Sequence, residues 1–203
     1  MKYNRIMPGY KSVHLDECLS GKFIGVDFGI SEDISKYLSD DFKLFKDRYR
    51  PIFLKNRPDK SKVAAGLACG SIWTVCHNLK KGDIILSPDG KGEYFVGEID
   101  SNYYYAPGEI LPHRRKVNWY KTPVRRSDMT EALRNSSGSV LTTCDITKYA
   151  QIKNIINKLI DLCHSRPLRM TLGFSSLCQN RPEFPHIYIG KRARPDWFKS
   201  SRS

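Results

Sequence analysis

The sequence predicts an α+β fold: a small, curved mixed β-sheet, or partly closed β-barrel, surrounded by helices. Three observations predict it. About six short β-type runs are spread along the chain, rich in Val, Ile, Tyr and Phe and bounded by turn residues. The helical segments crowd between the first and second of these runs instead of alternating with strands, which excludes a parallel doubly wound sheet. The 203 residues, 40% of them hydrophobic, suffice for one real core with an appendage.

Taken in order, Met1–Ser20 reads as a loose start with a Pro8-Gly9 turn, and Val13–Leu19 as an edge strand or short helix. Lys22–Phe28 (KFIGVDF) is an apolar, β-favouring strand. Ser31 is expected to cap a helical turn with Glu32 and Asp33 behind it, and Ser39-Asp40-Asp41 to cap a helix over Asp41–Tyr49 whose Phe42, Phe45 and Tyr49 share one face. Pro51 and Pro58 bracket Ile52–Arg57. Lys62–Asn78 is helical, with a break suggested at Gly70 by its AAGLACG middle. Lys80-Lys81-Gly82-Asp83 closes that helix, with cations in the last turn and a glycine where a left-handed residue is wanted. Ile84-Ile85-Leu86, a Ser87–Gly90 turn and Tyr94–Ile99 then form two strands and their connection.

Further on, Tyr103-Tyr104-Tyr105 precedes a Pro107-Gly108 turn, and His113–Tyr120 (HRRKVNWY) is another strand. Ser127 or Asp128 is expected to cap a short helix over Met129–Arg134, and Val140–Ile146 is a further β-type run. Thr147–Cys163 carries Ile152, Ile155, Ile156, Leu159, Ile160 and Cys163 on one helical face. Leu168–Phe174 and His186–Ile189 read as two short strands before a basic, Ser-rich end. The expected organisation is one domain over 1–149 followed by a helix and basic extension over 150–203, a linker or small second element.

The formal net charge of +13 points to a polyanionic partner, nucleic acid before a membrane surface, since no strongly amphipathic basic helix stands out. The charge is uneven: Asp41–Gly82 holds ten Lys/Arg against three Asp/Glu, and Gln151–Ser203 again ten against three. No apolar run is long enough to span a bilayer and none follows Lys2 and Arg5 as in a secretory signal, so an intracellular, cytoplasmic location is expected. The six cysteines form no C-x-x-C, and the Cys163-His164 pair has no second pair to complete a zinc site. No metal or cofactor is expected, and the thiols read as reduced. No P-loop or nuclease signature is present, so a catalytic role is not expected.

One ordered set of motifs carries a resemblance. A strand ending IGVDFG is followed by a helical insert, GSIWTVCHNLKKGDIILSPDG, YFVGEI, an aromatic cluster, LPHRRKVNWY, RSDM…LRNSSGS and a final β run. Over roughly Lys22–Tyr149 this resembles the EVE-like domains of the PUA superfamily, relatives of the YTH domains, found at the front of modification-dependent restriction proteins. The resemblance implies a PUA-like curved barrel that flips a modified, methylated base into an aromatic pocket. It implies DNA ahead of RNA as partner, and a nuclease or NTPase as a separate subunit or fused domain. A module that recognises methylated RNA is the alternative within the same superfamily.

The implied pocket sets the candidate residues. Trp73 is its first wall, unless it is a core tryptophan; Phe28 is a second. Asp27 would accept a hydrogen bond from an exocyclic amino group, and Ser71 would offer a hydroxyl or amide to the base edge unless it is an N-cap. Of three consecutive tyrosines on a strand at least one must leave the core, which brings in Tyr105. Trp119, alternating with Val117, suits core or pocket. Lys80, Lys81, Arg114, Arg115, Lys116, Arg125, Arg126, Arg134 and Asn135 are the expected contacts to the nucleic-acid backbone.

Overall fold

The computed structural model describes residues 1–38, 41–149, 154 and 157. The expected boundary after Tyr149, the helix over Thr147–Cys163 and the elements beyond it lie outside the described residues, Thr147–Tyr149, Asn154 and Asn157 apart. The architecture is mixed α+β, with a curled, half-barrel mixed sheet flanked by helices, consistent with a PUA-like fold.

The strands are β1 (Tyr3–Ile6), β2 (Phe23–Val26), β3 (Ile84–Pro88), β4 (Glu93–Ile99), β5 (Tyr104–Tyr105), β6 (His113–Trp119), β7 (Val124–Arg125) and β8 (Thr143–Asp145). Six of them run in the order β2-β6-β4-β3-β1-β8, while β5 pairs with β6 and β7 with β4. Every pairing is antiparallel except β1 with β3. That parallel pair needs a long crossover. The helical insert supplies it with α1 (Leu15–Ser20), α2 (Phe42–Asn56) and α3 (Lys62–Trp73), and α4 (Glu131–Ser137) follows β7.

β1 corrects the expectation of a loose start. All four of its residues are buried, and it lies between β3 and β8. Its YNRI pattern hides it, because Asn4 and Arg5 are polar residues on a strand flanked on both sides. Val13–Leu19 resolves as helix α1.

The helices also run differently from the expectation. Ser31 caps no helix among the described residues; Asp33 accepts from the Ser35 amide at 2.9 Å, ahead of a short 3₁₀ turn, Ser35–Tyr37. Asp41 does cap α2, accepting from the amides of Lys43 (2.8 Å) and Leu44 (3.2 Å). The helix passes through Pro51 instead of stopping there. Phe45, Tyr49 and Phe53, four residues apart, bury one face of it. An aromatic side chain gains roughly 1.5–3 kcal/mol on burial, so continuing as far as Phe53 offsets the roughly 3 kcal/mol that an interior proline costs.

α3 likewise runs past Gly70 without a break, capped by Ser61, whose hydroxyl accepts from the Ala64 amide at 3.1 Å. It then widens into a π-helical turn, Thr74–Asn78. α4 starts after Thr130, whose hydroxyl accepts from the Leu133 amide; Ser127 and Asp128 lie in a separate 3₁₀ turn before it.

Trp73 sits in the main core, 7% exposed, with its ring 5.1 Å from that of Phe45, 5.5 Å from Phe42 and stacked on His77 at 4.1 Å. Replacing it with alanine is expected to cost about 3–5 kcal/mol, the usual range for a large buried aromatic. Urea denaturation of Trp73→Ala checks this; an unchanged midpoint would place the side chain outside the core.

Candidate functional site

Two cavities of the structure adjoin one another. The first, of about 470 Å³, lies between the Met7–His14 loop, the end of β2 at Val26-Asp27-Phe28, the Ile110-Leu111 turn, and Val140 and Thr142. The second, of about 370 Å³, lies between the C-terminal end of α2, α3 and residues 140–142. Phe28, Arg57, Val140 and Thr142 line both. Each volume falls in the range of about 300–1,000 Å³ usual for small-molecule sites.

Two independent features converge here. Six of the nine large apolar side chains exposed among the described residues line these cavities, with Tyr10 79% and Val140 91% exposed. Exposed apolar groups gathered at one place mark interaction sites more than scattered ones do. Backbone strain gathers there as well. Among the described residues, the non-glycine positions with positive φ are Lys11 (52°), Ser12 (62°), Leu111 (46°) and Lys22 (53°). The first two lie in the loop between Tyr10 and Val13, and Leu111 lines the cavity. Such conformations cost on the order of 1–3 kcal/mol each and persist where surroundings over-determine them.

Those surroundings are identifiable. Arg114, buried in β6, donates from Nε to the Leu111 carbonyl (3.1 Å) and from Nη2 to that of Ile110 (2.5 Å), and its guanidinium lies 3.9 Å from the Phe23 ring centre. A Cβ on Gly25 would come within 2.6 Å of the Leu111 carbonyl oxygen, so only glycine lets this turn close onto β2. Arg5, also buried, donates from Nε to the Ser137 carbonyl (3.0 Å), from Nη1 to Leu141 and from Nη2 to Ser139. It thereby holds the opposite wall. Burial lowers the Arg5 pKa, but a guanidinium keeps its proton in proteins.

The loop after Phe28 is held by His113. Its Nε2 is 2.8 Å from the Ile30 carbonyl oxygen, which only accepts, so Nε2 carries the proton and donates. Nδ1 then accepts from the Tyr103 hydroxyl at 3.0 Å, and that hydroxyl oxygen accepts from the Ile34 amide at 3.4 Å. Asn56 donates to the Gly29 carbonyl at 2.6 Å, and Asp27 Oδ1 accepts from the Gly29 amide at 2.7 Å. The phenyl ring of Phe28 leans on Phe53 with centroids 6.3 Å apart.

Of the expected pocket residues, the structure brings together Phe28 and Asp27 at the first cavity and Phe28 and Ser71 at the second. Ser71 is inside α3, not at its cap, and its hydroxyl accepts from Thr143 Oγ1 at 3.3 Å. Three residues stand elsewhere. Trp73 is enclosed by core aromatics, Tyr105 packs its ring 5.4 Å from His113, and Trp119 donates from Nε1 to the Cys18 carbonyl at 3.0 Å. The Trp119 ring covers Gly97, where a Cβ would meet it at 2.7 Å. None of the three lines either cavity.

The expected backbone contacts also need correction. Arg114 and Arg115 are buried and committed to carbonyls: Arg115 donates from Nε to Val75 (2.9 Å), from Nη2 to Cys76 (2.5 Å) and from Nη1 to Ser101 (3.2 Å). Neither guanidinium is presented to solvent for a phosphate. Lys80, Lys81, Lys116, Arg125 and Asn135 are exposed, and Arg126 and Arg134 half-buried, but none lines the cavities. The Lys80 ammonium donates to the His77 carbonyl at 3.0 Å, and Arg126 donates to the Tyr94 hydroxyl at 3.1 Å.

Sequence reasoning missed the cations that do line the cavities, Arg57 and Lys60, and the walls Tyr10, His14 and Thr142. The basic excess over Asp41–Gly82 was the signal for the first two. His14 gives none in sequence, but its Nδ1 has no hydrogen-bond partner among the described residues, the Glu17 carboxylate standing 3.7 Å away.

Burial lowers the His113 pKa. The folded protein therefore holds this imidazole neutral where an unfolded chain, with a value near 6.5, begins to protonate it. The unfolded state binds more protons in that window, so stability is full above about pH 6.5 and falls as pH drops below it. Thermal unfolding between pH 7.5 and 5 should show a declining midpoint, with a shallower decline in His113→Gln. Equal slopes in both proteins would remove His113 from this role.

Among the described residues no helix is long and apolar enough to cross a membrane. No curated protein and no solved structure matches the chain. A family model described as a domain of unknown function, DUF8426, matches residues 6–147, from the last residue of β1 to just beyond β8, and the chain belongs to that family.

Proposed function

We propose that this chain is a non-catalytic DNA-binding module that takes one modified base out of the duplex into the cavity beside Phe28. The observation that carries the reading is the composition of that cavity: an exposed tyrosine, a phenylalanine, a carboxylate, an imidazole ring and an arginine around one volume of about 470 Å³. Aromatic stacking is worth about 1–3 kcal/mol per base, comparable with the few kcal/mol needed to extrude one. Asp27 suits the exocyclic amino group that cytosine and adenine carry. Val13, Val26, Leu111 and Val140 offer the apolar contact a methyl group would use.

The backbone track in this reading differs from the one expected from sequence. Arg57 and Lys60 stand at the cavities, and α2 leads to them with Lys43, Arg48 and Lys55 exposed on its outer side. The EVE-like resemblance extends the reading to a modification-dependent restriction or defence system. A partner or fused nuclease or NTPase would then act on the DNA.

Fluorescence anisotropy tests it, with duplexes carrying one 5-methylcytosine, one 5-hydroxymethylcytosine, one N6-methyladenine or no modification. One modification should bind about 10- to 200-fold better than plain DNA, the discrimination a single methyl group in a pocket allows. Phe28→Ala should remove that preference, and Arg57→Glu should weaken binding to every duplex and flatten its salt dependence. Equal affinity for modified and plain DNA at moderate salt would overturn the proposal.

A further inference from the structure

The geometry points to a ligand longer than one nucleotide: the paired cavities hold two consecutive nucleotides of a single strand, with the intervening phosphate at Arg57. This rests on the base-binding reading above and extends it. The second cavity is not needed to house one base, since the first alone has the volume of a complete ligand site. Yet the two share an aromatic ring, Phe28, and a cation, Arg57, together with Val140 and Thr142. A nucleic-acid strand has the matching alternation, a flat base, an anionic phosphate and then another flat base.

Both shared residues pack against the same residue of α2, Phe53. Phe28 leans on Phe53, the Arg57 amide donates to the Phe53 carbonyl at 2.9 Å, and its guanidinium lies 5.9 Å from the Phe53 ring centre. The ring and the cation thus both stand against one turn of α2. Beyond them the chemistry continues in the same sense. Ala64, Leu67 and Ala68 give an apolar floor on α3, and Lys60 stands at the edge as a second cation. Lys60 is bound to Asp59 at 2.7 Å, but both groups are exposed and such a pair yields readily to a phosphate. A lone nucleoside would leave this second half empty and Arg57 without its anion.

Titration calorimetry on the full chain tests the proposal. The probes are the 5′-mononucleotides of 5-methylcytosine, 5-hydroxymethylcytosine and N6-methyladenine, and dinucleotides joining each to thymidine on its 5′ or 3′ side. One dinucleotide should bind at least tenfold tighter than its mononucleotide, with one polarity preferred. Leu67→Glu changes an exposed residue that lines only the second cavity. It should abolish that gain and leave mononucleotide affinity unchanged, and Ala64→Phe should do the same by filling the space. Mononucleotides that bind as tightly as every dinucleotide would overturn the two-nucleotide site and leave the base pocket standing. No binding of either class would overturn both.

Discussion

Three adjacent residues of β6 hold most of this structure in place. His113, Arg114 and Arg115 each reach a different carbonyl-bearing segment: the loop after Phe28, the Ile110-Leu111 turn and the π-helical end of α3. Strand alternation makes this possible, because successive side chains leave opposite faces. One strand therefore anchors elements on both sides of the sheet. Burying a guanidinium is tolerable only when its donors are satisfied. Here that is done by backbone oxygens more than by carboxylates, the exception being Glu109 at 3.5 Å from Arg114. The carbonyls gain too, since those at the end of α3 carry the negative pole of the helix and have no partner within it.

Arg5 repeats the device from β1, so the two walls of the first cavity are each tied to a buried arginine on a different strand. The cavity is thus lined by irregular backbone that is nonetheless fixed. Strained residues at Lys11, Ser12 and Leu111 fit this picture. A site shaped by loops normally pays an ordering cost on binding; here much of that ordering is present in the free protein.

The α+β class, the strands β2, β3, β4, β6 and β8, and the cap at Asp41 were legible because apolar alternation and capping chemistry are local signals. β1 was not, since a buried strand containing Asn4 and Arg5 declares itself only through its neighbours. Pro51 misled for the opposite reason, a strong local rule overridden by Tyr49 and Phe53 packing on either side of it. At the candidate site, Phe28 and Asp27, expected from their place at a strand end in the fold that the resemblance implies, line the first cavity. Trp73 and the His113–Lys116 run drew attention through residue type. Type does not distinguish a stacking tryptophan from a core one, or a phosphate-binding arginine from one that caps a helix. That difference is one of burial and hydrogen-bond geometry, which are tertiary properties.

The position of β1 in the sheet has a consequence for how the molecule is made. Asn4 pairs with Ile85 on one side and with Asp145 on the other. Among the described strands, β1 is therefore bonded along both edges only after β8, about 140 residues further on, has been made. Contacts of such sequence separation must overcome loop-closure entropy before they return any stabilisation. Until β8 is made, the edge of β1 that will take it has unpaired backbone groups, which is the kind of surface that recruits other chains. Completion of the sheet is accordingly a late event, in which strands from far apart in the sequence are joined at one edge.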